Sequence, residues 1–446
     1  MTASAQSNTT AGQTISARVA SRSDIARMAR RERFASALWP VPAIFGIAAL
    51  GLAAITTTLD HHAVLGADEG RFLVADTNTA LTLTSVVATG MLVFLGIVFS
   101  TTLVAIQLAA SQYSPRVVRV FLRARLTKVA LGVFVATFVY SLAALVEIRA
   151  GREQLDRGTP VLSLFVLSLL VLTTLVVFLV FANGTARLLR VQYLLERVAE
   201  ETRRSIDVAF PTPDVYLEAI RPPTDPRRTP VTSGSDAGVL DAIDLGGLAE
   251  VARRADGWIE MLVPIGSYLG AEMPIAVMHG PRDAAAEEVR SCLLLSNERT
   301  LLLDPGCGIR QIVDIAIRGL SPAVNDPTTA VQAIDRLTDL LARAGAQPDP
   351  TGWYVDDEGT ARLAVMADTL DELVQLAFVE IIRYGADSPQ IVRRLRAAFD
   401  QIEQRCHGTS ATALAAMGAL LDAAVTDLGV STFEAIASVS DTRGLG

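Results

Sequence analysis

The pattern of apolar and polar positions divides the chain into two unlike parts. Four stretches in the first two-fifths are almost continuously apolar: residues 39–59, 81–109, 129–148 and 161–182. Each has the roughly 20 residues a helix needs to cross the hydrocarbon core. Glu147, at the end of the third, is the one charged residue inside them. Soluble helices of that length alternate faces and carry charge, so the pattern predicts four transmembrane helices in a unit spanning residues 35–206. Residues 186–206 mix charges with apolar residues at helical spacing, which predicts a linking helix or a continuation of the last span. Between Phe210 and Pro230 stand Pro211, Pro213, Pro222, Pro223, Pro226 and Pro230, a density that argues against regular structure and marks residues 207–236 as a linker.

Beyond the linker the periods change. Residues 237–280 read as a small β motif: a strand over 237–243, a short helix capped by Asp244, a strand over 258–263, a turn at Pro264–Ser267 and a last strand to Met278. Residues 281–446 read as mainly helical, with helices over 283–295, 309–319, 327–344, 370–384, 389–405 and 411–428. A hairpin over 352–366 turns at Asp356–Gly359. The expected fold class is therefore a membrane protein, four transmembrane α-helices plus a C-terminal cytosolic α+β domain.

The second span carries a pattern of its own. Stepping at 3.6 residues from Thr82 gives Ser85, Thr89, Val93, Gly96, Ser100, Val104, Gln107 and Ser111 on one line, small or polar except for the valines. A helix from Asn78 to Ser111 would be about 50 Å long, against about 30 Å of hydrocarbon. The stripe has two readings. Small residues and hydroxyls let helices approach closely and bond across a contact. Alternatively, several copies around an axis could line a water-filled path with it, narrowed at Val93 and Val104. No carboxylate or histidine lies near mid-membrane, which argues against a proton relay.

Charge sets orientation. Arg22, Arg27, Arg30, Arg31 and Arg33 precede the first span; Arg116, Arg119, Arg123, Arg125 and Lys128 separate the second from the third; Arg187, Arg190 and Arg197 follow the fourth. The positive-inside bias places both termini in the cytosol of a bacterial inner membrane. The second outer loop, with three arginines between 149 and 160, fits it least well. Residues 1–34 lack the apolar core of a signal peptide and read as a disordered, basic cytosolic tail. The net charge of −8 comes mainly from the C-terminal half, and no basic face suggests nucleic acid as a partner. The expected partners are the lipid bilayer, further copies of the chain, and an unidentified small ligand or ion.

The soluble part holds one distinctive polar segment, Asp304–Ala330. Arg310 and Asp314 would share a helix face, and Asn325, Asp326 and Thr328 stand at the next helix start. Together these five could form a pocket for an anion or metal. Separately they are an ion pair and an N-cap before Pro327, a device that Asp304-Pro305 repeats. No nucleophilic triad, HExxH or phosphate-loop pattern occurs. His61, His62, His279 and His407 share no metal spacing, and Cys292, Cys307 and Cys406 suit small buried apolar groups. The chain is read as a non-enzyme without a cofactor. The P-x-G-x-x-x-G-x-x-x-P spacing at 264–274 is similar to hairpins of biotinyl- and lipoyl-type barrels, but no acceptor lysine is present in the segment.

Two segments, TTLVAIQLAASQYSPRVVR (Thr101–Arg119) and Asp304–Ala330, resemble a bacterial family of predicted membrane proteins, domain of unknown function 2254. The resemblance runs from about residue 35 to 430, with Cys307 standing where that pattern has an aromatic. It implies an inner-membrane protein of this two-part layout and carries over no functional residue. The stripe then suggests a homo-oligomeric channel or passive pore with a cytosolic regulatory domain. A membrane-anchored scaffold or ligand sensor is the alternative, and an enzyme using the Asp304–Thr329 cluster is a third.

Overall fold

A computed structural model describes residues 13–14, 37–62, 77–112, 124–152, 161–188, 190–210, 227–281, 286–296, 299, 304–356, 358–406 and 411–427. The tail over 1–34 (Gln13–Thr14 apart), residues 63–76 and 153–160 of the loops expected outside, the basic loop over 113–123, most of the proline-rich linker and His407 lie outside the described residues. The chain folds as two units, one of residues 31–194 and one that joins residues 1–30 to 195–446.

The first unit holds four helices long and apolar enough to cross a membrane: α1 (Pro40–His62), α2 (Thr77–Gln112), α3 (Arg125–Arg152) and α4 (Val161–Leu188). The third is the hub, and each of the others packs against it. Its buried positions include large and polar side chains: Phe134 and Tyr140 are fully buried, with Thr137 and Ser141 beside them. Phe94, Phe134, Phe178 and Phe181 interlock edge to face at centroid distances of 5.1–6.1 Å, a geometry that adds to simple area burial. Hydroxyls do the rest: Thr137 and Thr174 Oγ1 are 2.8 Å apart, and Tyr140 Oη meets Thr56 Oγ1 at 3.0 Å. Apolar packing gains little over lipid contact in a bilayer, so such bonds help specify which helices meet.

The second unit takes α5 (Val191–Ala209) from Leu195 onward and contains two sheets and a helical layer. The strands are β1 (Gln13–Thr14), β2 (Arg228–Thr232), β3 (Gly238–Ile243), β4 (Trp258–Met261), β5 (Tyr268–Leu269), β6 (Pro274–His279), β7 (Leu293–Ser296), β8 (Trp353–Val355) and β9 (Ala361–Ala364). Six form one sheet in the order β1-β8-β9-β4-β6-β2, and three form another, β5-β3-β7. Helix α6 (Leu245–Arg254), capped where Asp244 accepts the Gly247 amide at 2.8 Å, supplies Leu248, Val251 and Ala252 to the core beneath them. The helical layer comprises α7 (Ala286–Ser291), α8 (Pro305–Gly319), α9 (Pro327–Gly345), α10 (Leu370–Gly385), α11 (Pro389–Glu403) and α12 (Ala411–Asp427).

Three expectations are corrected here. Arg228–Thr232, assigned to the linker, is strand β2 despite Pro230; it forms the outer edge of the six-stranded sheet, where a missing amide costs no ladder bond. Of the helix expected over 283–295, Ala286–Ser291 is helical among the described residues, and Leu293–Ser296 instead pairs antiparallel with β3. Third, the boundary expected at residue 280 does not divide the sheet, because β9 of the 352–366 hairpin pairs parallel with β4.

Candidate functional site

Helix α2 runs for 36 residues, about 54 Å at 1.5 Å per residue. One face carries Ala80, Thr84, Ala88, Met91, Leu95, Val98, Ala105 and Ala109, all buried. The expected stripe is on another face. Thr82, Thr89, Val93, Gly96, Ser100, Val104 and Gln107 are exposed and Ser85 is half-buried, while the side chain of Ser111 lies outside the described residues. Val93 and Val104 are 61% and 57% exposed. Among the described residues, nothing lies within 4 Å of the position a Cβ would take on Gly96. The stripe is therefore not the contact between this helix and its own bundle. Hydroxyls near it bond back to their own helix, Thr82 to Asn78 O at 2.8 Å and Thr101 to Ile97 O at 3.0 Å, as mid-helix threonines do in apolar surroundings.

The Asp304–Thr329 residues are committed to separate tasks. Arg310 Nε donates to Asp314 Oδ1 at 2.9 Å, and its two terminal nitrogens take both oxygens of Glu380 on α10. The hydrogen bonds from Glu380 raise the Arg310 guanidinium above its ordinary value, and the guanidinium lowers Glu380 in return. Asp326 caps α9, accepting the Thr329 amide at 3.1 Å and its hydroxyl at 2.6 Å. Asn325, at φ +48°, and Thr328 are exposed. The Arg310–Asp314 pair and the Asp326 cap are the structural roles that spacing alone suggested as the alternative to a pocket.

Two features escaped the sequence reading. Asp60 caps α4 from the end of α1: it accepts Leu162 N at 2.9 Å, Ser163 N at 3.0 Å and Ser163 Oγ at 2.6 Å. Tyr140 of α3 donates to Ser163 O at 3.1 Å beside it. A carboxylate there satisfies amides that the first helical turn leaves without intrahelical partners. The other feature is at the start of α8: beyond the expected cap on Cys307 N at 2.8 Å, Asp304 is buried and pairs with Arg299 at 2.6 Å. Asp368, from the connection between β9 and α10, reaches the same turn. Neither pairing has a short-range sequence signature.

Other chemistry is sparse. No group of three or more His, Cys, Asp or Glu residues among the described ones could hold a metal. His279 stacks on Trp258 at 3.9 Å and bonds Glu260 at 2.9 Å. Burial, with Asp349, Glu403 and Asp371 nearby, raises the Cys406 thiol, which disfavours the reactive thiolate. A cavity of about 10 Å³ in the helical bundle, lined by Thr102, Thr127 and Thr185 among others, has room for one water.

Residues 35–401 match the family described as "Predicted membrane protein (DUF2254)". Uncharacterized proteins of Mycobacterium bovis and of two Mycobacterium tuberculosis strains are 27% identical over 331 residues. The match covers 72% of this chain, and the chain spans 63% of the length of these curated relatives. No solved structure matches.

Proposed function

This chain belongs to the DUF2254 family of predicted membrane proteins, and from that premise we propose that it self-associates through the outward face of α2 and forms a passive, uncharged pore. The observation that carries the proposal is the direction of the stripe. Thr89, Gly96, Ser100 and Gln107 point away from their own bundle, where a lipid environment offers their polar groups nothing. A second copy offers close helix approach at Gly96 and a bonding partner for Gln107. Around an axis the same face becomes a path of hydroxyls and glycine with apolar constrictions at Val93 and Val104, a form that gates by dewetting.

The expected setting is a bacterial inner membrane with both termini cytosolic. Pairing of β1 with β8 supports a common side for the segment before the first span and the unit after the last. An even number of spans agrees, and the arginine bias selects the cytosol.

Cysteines placed at Gly96 and Ser100 in a cysteine-free background should cross-link copies in the membrane, whereas one at the inward Leu95 should not. Planar bilayers should then show a conductance that Val93→Ala raises. Monomers at every stripe position would end the self-association reading. Bilayers silent across voltage, pH and ionic composition would end the pore.

A second reading, a membrane-anchored ligand sensor, is favoured by one observation. The stacked Trp258–His279 pair and Trp353, 5.1 Å from Trp258, share the sheet face opposite Ile259 and Met278. Half-buried aromatic surface of that kind is common in ligand sites.

A further inference from the structure

The start of α8 is where three parts of the second unit meet. Asp304 caps the helix through Cys307 N, and Arg299 is bound to Asp304. Both lie over Gly266, whose φ of +90° belongs to the turn between β4 and β5: a Cβ there would come within 2.5 Å of Arg299 Nε and of Asp304 Oδ2. Asp368 reaches the same turn from the β9–α10 connection. Its Oδ2 lies 3.0 Å, and Asp304 Oδ1 3.3 Å, from the position of a Cβ on Gly306, and the Gly306 amide donates to Asp368. Two carboxylates from distant segments therefore occupy two consecutive amides of one helical turn, with the Arg299 guanidinium beside them.

We propose that this pair is a proton-operated latch: Asp304 is tied to Arg299, Asp368 holds a proton, and loss of that proton loosens the β9–α10 connection from α8. Two adjacent carboxylates resist ionising together, and burial adds to the resistance. The groups facing Asp368 are Asp304 from the α8 cap, Glu372 from α10, Arg299 from the segment before α8, and the Gly306 amide. Burial, then Asp304 and Glu372, push Asp368 up to about 6, against the opposing pull of Arg299 and the amide. The sign follows directly. The latched form binds the proton more tightly than the released form, whose carboxyl has its ordinary value of 3.8. Latching is therefore fullest below the released value and is lost as pH rises through the latched one. From those two values the opening constant rises about tenfold between pH 5 and pH 7 and is nearly flat above. The proposal concerns the second unit alone and rests on neither the pore nor the sensor reading.

The test is hydrogen exchange on the full chain in lipid nanodiscs, with rates corrected for the intrinsic pH dependence of amide exchange. Protection of residues 365–370 and of the first turn of α8 should fall about tenfold from pH 5 to pH 7 in the wild type. Asp368→Asn should abolish that step. Asp314→Asn, further along α8 and away from the latch, should retain it. A flat wild-type profile overturns the latch without reference to any variant, and so does a step that survives in Asp368→Asn.

Discussion

Replacing Asp60 should loosen the transmembrane bundle at one end, by an amount that the geometry bounds. Its carboxylate accepts two amides and one hydroxyl from the first turn of α4. Hydrogen bonds to a charged acceptor are worth about 1.5–3 kcal/mol each when the surroundings are dry. Asp60 is half-buried, so water will replace part of what Asp60→Ala removes. The expected cost is nearer that of losing one strong cap and one buried bond, about 2–4 kcal/mol. Asp60→Asn keeps an acceptor oxygen but loses the charge and half of the bonding capacity, and should cost about 1–2 kcal/mol. The assay is equilibrium unfolding in one detergent, read by helical circular dichroism across the series. Ser163→Ala completes a double-mutant cycle, in which a coupling of about 1 kcal/mol or more with Asp60→Ala is expected. An alanine variant within about 0.5 kcal/mol of wild type, at the level of an ordinary surface change, would refute the view that this carboxylate joins α1 to α4. Equal costs for Ala and Asn would refute the part played by the retained acceptor.

Two further outcomes follow from packing and charge in the second unit. Gly308→Ala sets a methyl group 1.9 Å from Thr202 Oγ1 and 2.8 Å from its Cβ; it should cost about 1–3 kcal/mol as an overpacked contact, and Thr202→Ala should recover much of that loss in the double variant by thermal unfolding. Arg310→Ala leaves Asp314 and Glu380 without their shared guanidinium; because these side chains are partly solvated the loss should stay below about 2 kcal/mol, and it should shrink further in 1 M salt, measured by the same unfolding assay.

The features legible in the sequence are those governed by neighbouring residues. The four spans follow from uninterrupted apolar runs, because a bilayer reads hydrophobicity over about 20 consecutive residues. The caps at Asp244, Asp304 and Asp326 are equally local: a side chain meets an amide three residues on. The Arg310–Asp314 pair obeys the same one-turn rule, although its partner Glu380, seventy positions away, gives no sign of itself. The stripe on α2 could be drawn from periodicity alone, but periodicity has no origin. It fixes which residues share a face without fixing where that face points, and tertiary packing turned the Ala80–Ala109 face inward instead.

What the tertiary structure decided was every pairing between distant segments. Pro230 sits in a strand because that strand falls at a sheet edge, and Leu293–Ser296 is extended because β3 presents it a ladder. Asp60 and Asp368 are acidic residues in unremarkable surroundings until folding sets each against the first turn of a helix remote in sequence. Local preferences amount to fractions of a kcal/mol per residue, and one buried hydrogen bond or ladder outweighs them. Composition and caps therefore settle which helices can form, and long-range contact settles which charges meet.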